Sequence, residues 1–248
     1  MNINEHRIYN EVEVEHWWFR ARREMLKAIL VDVHDKDCKA VLDVGCGSGG
    51  NLEMLFDAFG SVDGIDNSLD SVSLGMSLGR SNVRYFDACS LAEIEKKVDM
   101  VSFLDVLYHR DILDYKNVLK NTGGILRKNG FILIADGAFD CLSGHHTDAV
   151  HGARRFRKKQ LIKVLEDLGY DIVTAIYWGF VPFFIIYLKR RLFDRVLTPS
   201  LNKSDVTKVS GFSNWFMYHL VAWEVRVLKT FDMPLGSSVL ILAKKTVG

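Results

Sequence analysis

The stretch VLDVGCGSGG, residues 41–50, sets Asp43 two positions before the first of the glycines Gly45, Gly47, Gly49 and Gly50. Acids recur further on, because Asp66 ends VDGID, sixteen residues beyond Gly50, and Asp87 ends VRYFD. Gly45, Gly47 and Gly50 satisfy the loose GxGxxG pattern of a turn that cradles a pyrophosphate, so a dinucleotide is one ligand the spacing allows. Asp43 argues against it, since a carboxylate beside a pyrophosphate is repulsive. A ligand carrying a sulfonium and an ammonium group reverses the sign, and acids near the turn then attract. On that reading Asp66, followed by Asn67, accepts the two hydroxyls of a ribose, and Asp87 with the amide of Ala88 reads an adenine edge. Taken singly, each acid is as readily a helix cap or a turn residue. Three in register with one glycine turn point to a ligand.

A second set of reactive side chains lies further along. Of the eight histidines, His145, His146 and His151 fall within SGHHTDAVHGARRF. A histidine titrating near neutrality suits a general base for a hydroxyl acceptor, and His146 and His151 are the candidates. No HxxxH pair or carboxylate helix accompanies them, so no metal site is read here. RRFRKKQ, Arg154–Gln160, is expected to open a helix, where basic residues oppose the dipole; an anionic acceptor explains their presence better than stability does.

The elements that must position these residues follow from apolar spacing. Helices are expected over residues 17–33, 51–60 and 111–127, with a further glycine-punctuated helix between residues 66 and 82. Strands are expected at 40–45, 61–66, 82–88, 99–105, 130–139 and 172–177. SSVLILAKK, residues 237–245, reads as a final antiparallel strand at the sheet edge, and residues 214–231 as an amphipathic helix. Near-continuous apolar strands alternating with helices imply a parallel sheet buried on both faces, a doubly wound α/β fold. Its ligand belongs outside the carboxyl ends of the strands, where the strand order reverses.

With 248 residues, 48% hydrophobic and 25% charged, the chain suits one globular domain. It divides into an N-terminal lid at 1–37, a core at 38–178, a cap insertion at 179–235 and a last strand at 236–248. Cys38, Cys46, Cys89 and Cys141 stand far apart, which implies neither a disulfide framework nor zinc and suits a reducing cytosol. The first residues lack the basic head and apolar stretch of a secretory signal. The net charge of +1 conceals an asymmetry: residues 1–150 carry 16 Lys and Arg against 24 Asp and Glu, and residues 151–248 carry 16 against 7. A basic C-terminal side suits an anionic partner such as a phosphate or a membrane surface, or is simply solvated. Nothing implies nucleic acid. Ile172–Leu188 is an apolar run of 17 residues broken by Gly179 and Pro182, short of the ~20 a spanning helix needs. Beyond the sixth strand it is expected to cap the site or join two subunits; the alternative is an element lying on a bilayer with its basic end at the headgroups.

Together VLDVGCGSGGNLEML, VDGIDNS, VRYFDA and DMVSFLDVLYHRDI, within about residues 38–136, resemble the successive motifs of the class I S-adenosylmethionine-dependent methyltransferases. EHWWFRARREML, ARRFRKKQLIKVLEDLGYDIV and MPLGSSVLILAKK resemble a bacterial subgroup associated with glycan or lipid-linked sugar assembly. The resemblance implies a seven-stranded, mostly parallel Rossmann-like sheet, S-adenosylmethionine as cofactor and S-adenosylhomocysteine as product. It places Gly45, Gly47 and Gly49 beside the methionine part, Asp66 on the ribose and Asp87 near the adenine, with Leu104 and Asp105 beside the methionine moiety. By analogy with lid helices of related enzymes, Trp18 and Arg22, one turn apart, cover the cofactor and meet its carboxylate, or the tryptophans simply pack the lid on the sheet. The family often has Glu where this chain has Tyr108, so position 108 inherits no role; Thr147 and Gly152 stand where the subgroup suggests Asp and a second His.

The expected activity is O-methylation of a sugar or lipid-linked glycan intermediate. Its alternatives are a small-molecule methyltransferase of secondary metabolism, a cofactor-binding subunit without turnover and, last, a dinucleotide oxidoreductase. A homodimer is the oligomer considered.

Overall fold

The computed structural model describes residues 13–34, 38–143, 152–192, 210–228 and 232–246. A helical turn at residues 13–15 leads into α1 (Trp17–His34), followed by β1 (Ala40–Val44), α2 (Gly50–Met54), β2 (Ser61–Asp66), α3 (Leu69–Ser77), β3 (Val83–Tyr85) and β4 (Val98–Leu104). Next come α4 (Tyr115–Ile125), β5 (Leu126–Gly137), α5 (Lys158–Asp167), β6 (Tyr170–Trp178), α6 (Phe180–Leu192), α7 (Gly211–Leu228) and β7 (Ser238–Lys245). Short 3-10 turns lie at Ala88–Glu93 and Asp140–Leu142.

The seven strands form one sheet in the order β3-β2-β1-β4-β5-β7-β6, parallel from β3 to β5, with β7 antiparallel to both neighbours. This is the doubly wound fold expected from the apolar runs. Strand order reverses between β1 and β4, so their carboxyl ends form the switch point where a ligand crevice opens.

Alternation along the strands divides the core into two layers. Leu42, Val44, Val101, Phe103, Ile132 and Ile134 face α4 and α5, where Val118, Leu119, Leu161 and Leu165 are buried. Val41, Met100, Leu104, Leu133 and Ala135 face the other way, onto Met25, Leu26 and Leu30 of α1 and Val221 of α7. Helix α1 forms because its apolar residues recur every three or four positions, giving one stripe that the sheet covers. Helix α7 then grips α1: Asn214 Oδ1 accepts from Trp17 N at 2.7 Å, and the Arg20 guanidinium lies 4.2 Å from the Tyr218 ring centroid.

Several boundaries differ from the sequence expectation, each for a local reason. The helix expected to reach Gly60 ends at Met54, because Leu55 and Phe56 both turn their N–H onto Asn51 O and bury their side chains. Helix α4 starts at Tyr115, not at 111, because Asp114 Oδ1 takes the N–H groups of Lys116 and Asn117. Strand β3 stops at Tyr85, since Asp87 caps the 3-10 turn after it. The final strand is not at the edge: β7 lies between β5 and β6. Its run from Ser238 to Ala243 is buried throughout, as an interior strand requires, whereas β6 has exposed positions and forms the border.

Candidate active site

The chain leaves β1 through a loop in which Gly45, Gly47 and Gly49 have φ of 71°, 58° and 85°. At Gly45 a Cβ would stand 2.5 Å from Val106 Cγ2, so glycine is required by both conformation and space. A Cβ on Gly47 would meet nothing within 4 Å; only its backbone conformation demands glycine, and open space lies beside it. Asp66, at the end of β2, braces this loop: its Oδ2 accepts from Gly47 N and its Oδ1 from Ser68 N, both at 2.8 Å. From the outer side Arg80 donates to Ser48 O at 2.9 Å while pairing with Glu53.

Asp43 sits inside β1 in register with Ser102 of β4, whose Oγ donates to Asp43 Oδ1 at 2.6 Å. Burial pushes this carboxyl up to about 7, against the Ser102 hydrogen bond and the Arg22 charge. At the end of β4, Asp105 has φ 60°, donates its N–H to Ala135 O and forms an ion pair with Arg22 of α1. Leu104 lies buried just beneath it.

The structure therefore brings Asp43, Asp66, Asp105, the glycine loop and Arg22 together at the switch point. Arg22 is held by Asp105 within this group. Trp18 is brought elsewhere: its ring centroid lies 4.5 Å from that of Trp178, so it packs the lid helix on the sheet. Asp87 is exposed and accepts from Cys89 N at 2.8 Å as a cap, with Ala88 packed beside the core; Asn67 is exposed after Asp66. His145, His146 and His151 lie outside the described residues. Gly152, next in sequence to His151, pairs with His109 in an isolated bridge, beside the loop that follows β4.

Arg154 and Arg155 precede α5 instead of opening it. Arg154 donates to Leu107 O and Ile112 O at 2.8 and 2.6 Å, fixing the loop after β4. Arg155 crosses Gly137 and donates to Ala138 O at 3.3 Å. Burial, then the nearby Arg190 guanidinium of α6, hold Arg155 down at about 10, while Asp105, Tyr108 and Asp140 act in the opposite sense. Arg190 of α6 thus adds its charge to that of Arg155 at the end of β5.

Three acids escaped the sequence reading. Glu13, before α1, turns its carboxyl inward over the glycine loop, 3.2 Å from where a Cβ on Gly50 would stand. Burial raises it, against the charges of Arg22, Arg23 and Arg80. Asp136 in β5 is fully buried and accepts from Leu107 N at 3.1 Å; burial and then Asp105 hold its carboxyl well above the usual range. Glu224 of α7 is buried and accepts from the N–H groups of Gly179, Phe180 and Val181, all at 3.0 Å, capping α6. An acid inside the apolar run FILIADG marked Asp136, but Glu13 looked like its acidic neighbours.

A family model for the methyltransferase domain matches residues 14–175, and the chain belongs to that family. Its fold is that of S-adenosylmethionine-dependent methyltransferases. A ubiquinone biosynthesis O-methyltransferase from Pelagibacter ubique is 26% identical over 120 residues, 46% of this chain and 49% of that protein, so the match spans about half the relative's length. A SAM-dependent methyltransferase from Archaeoglobus fulgidus shares the fold with a TM-score of 0.56 at 22% identity, over 90% of this chain and 94% of that one. A geranyl diphosphate C-methyltransferase from Streptomyces coelicolor superposes with a TM-score of 0.54 at 17% identity, over 88% and 74% of the two chains. The residues present fit the cofactor: open space lies beside Gly47, whose N–H donates to Asp66, and Asp66 and Asp105 at the neighbouring strand ends are carboxylates whose sign suits a cationic ligand.

Proposed function

We propose that the protein methylates an oxygen of an anionic acceptor, a sugar or lipid-linked glycan intermediate. The observation that carries this reading is the buried Arg155, which crosses Gly137 at the end of β5, donates to Ala138 O and feels the charge of Arg190 of α6. Guanidiniums of two elements near one strand end offer an anionic group charge-assisted hydrogen bonds. The name of the Pelagibacter relative supports oxygen as the methylated atom.

In this reading Gly45, Gly47 and Gly49 let the backbone approach the methionine part of the cofactor, and Asp66 and Asn67 meet the ribose. Asp87 and Ala88 border the adenine; Leu104, Asp105 and Arg22 border the methionine end. When bound, S-adenosylmethionine supplies a methyl group already activated on a sulfonium. The chain then has to hold the acceptor oxygen close and in line, an effect worth several kcal/mol, up to roughly 10. Arg155 and Arg190 orient the acceptor through its anionic group. His146 or His151 takes the hydroxyl proton.

The test is transfer of labelled methyl from S-adenosylmethionine to a panel of sugar phosphates, polyprenyl-linked sugars and neutral phenols. Label as a methyl ether on an anionic glycan is expected, with Arg190→Gln raising KM for it while S-adenosylhomocysteine binding holds. Label confined to neutral acceptors overturns the acceptor assignment; absence of any cofactor binding by calorimetry overturns the cofactor site.

A further inference from the structure

Helix α7 is apolar on both faces, and the fold covers one. Met217, Tyr218, Val221 and Val225 pack on the layer that holds α1. Phe212, Trp215, Phe216 and Trp223 are each half exposed or more, and with His219 and Arg226 they fall within one stripe about 100° wide. Scattered surface hydrophobics are ordinary, but four large aromatics in one stripe are not. The stripe is internally ordered: the rings of Phe212 and Trp215 stack with centroids 6.4 Å apart, and Trp215 meets His219 edge-on at 4.7 Å.

Helix α6, the other half of the cap, repeats the pattern. Phe183 is buried against Phe139, while Phe184, Ile185 and Leu188 are exposed, and the last turn carries Lys189, Arg190 and Arg191. Glu224 ties the two helices together by capping α6 from α7.

We infer that the outer faces of α7 and α6 dock the protein on an anionic lipid bilayer, with the aromatic rings at the level of the headgroups. Charge selects this partner. The cap, residues 179–235, carries 8 Lys and Arg against 4 Asp and Glu, so its field attracts anionic headgroups. Tryptophan, with an apolar body and one N–H donor, suits the boundary between acyl chain and water. A second copy of the chain fits less well, because a two-fold contact sets like basic residues of the two cap faces against one another. None of the described helices is long and apolar enough to cross a membrane, so the contact lies on the surface. The inference does not depend on the acceptor.

The experiment is sedimentation of the full chain with vesicles of phosphatidylcholine alone and of equal parts phosphatidylcholine and phosphatidylglycerol. Binding to the mixed vesicles is expected, weakening as salt rises, with tryptophan emission shifted to the blue. Trp215→Ser with Trp223→Ser, and separately Lys189→Glu with Arg191→Glu, should each lose about tenfold or more in vesicle affinity. Calorimetry with S-adenosylhomocysteine identifies folded variants; if the tryptophan pair fails it, the charge pair decides. No vesicle binding by the parent protein, or undiminished binding by a folded variant, overturns the inference. So does a dimer by light scattering that the tryptophan variant dissociates while vesicles are ignored, which assigns the face to subunit contact.

Discussion

Arg22 of α1 and Asp105 after β4 form an ion pair that fastens the N-terminal helix to the switch point of the sheet. The pair is asymmetric, with the arginine side chain 6% and the aspartate 41% exposed. Removing Asp105 leaves a guanidinium that still faces Glu13, Asp43 and Asp136, whereas removing Arg22 withdraws the positive charge from all three buried acids as well as from Asp105. Arg22→Met should therefore lower stability by about 1–3 kcal/mol and Asp105→Asn by less, with the double variant milder than the sum. Thermal denaturation of the three proteins checks this order, and equal losses in both single variants would contradict it.

The two glycines at the head of the loop should fail differently. Gly45→Ala sets a methyl against Val106 and strains φ, so it should lower the melting temperature clearly. Gly47→Ala meets no protein atom and pays only for φ, about 1–2 kcal/mol, but projects into the space beside the loop. Calorimetry should then find cofactor affinity reduced about tenfold or more in Gly47→Ala, beyond what its small stability loss explains.

Asp43 gives stability a slope with pH. Its folded-state value of about 7 exceeds the ordinary 3.8, so between these limits the folded protein holds a proton that the unfolded chain has released. Stability falls as pH rises through that window, by up to about 4 kcal/mol for Asp43. Asp136, raised by the same burial, adds a fall of the same sign. Asp43→Asn keeps an acceptor for Ser102 and should flatten the decline in melting temperature between about pH 5 and about pH 8 without abolishing it. Parallel curves for variant and parent would mean that Asp43 is ionised in the fold.

Glu224 holds three N–H groups at the first turn of α6, and Glu224→Ala orphans all three beside a buried void. A loss of about 2–4 kcal/mol in local stability is expected, read as faster hydrogen exchange at Gly179, Phe180 and Val181. Exchange in β1 and β4 should be unaffected.

The glycine loop and the acid that braces it were legible because their demands are local. A turn needing left-handed backbone is written as glycine, and an acid at a strand end sits two or three residues from what it braces, as Asp66 does with Ser68. The contacts of Arg22, Arg155 and Glu13 depend on residues distant in the chain, and nothing in their own neighbourhood shows which partner they meet. The misplacement of β7 was of a different kind: the fully apolar run VLILA already described an interior strand, but termini are habitually assigned to edges. Asp87, an acid at a strand end like Asp66, also serves the fold, its Oδ1 capping the 3-10 turn that follows.

That interior position of β7 ties the fold to the order of synthesis. Among the described residues β6 pairs only with β7, so while the chain is emerging from a ribosome β6 has no strand to join. β1 to β5 can associate early, but the site's Arg155 and Arg190 side waits for the last strand. A nascent chain halted before residue 238 would leave β6 unpaired and the aromatic cap held only through α7 on α1, a state in which chaperones rather than substrates are its natural company.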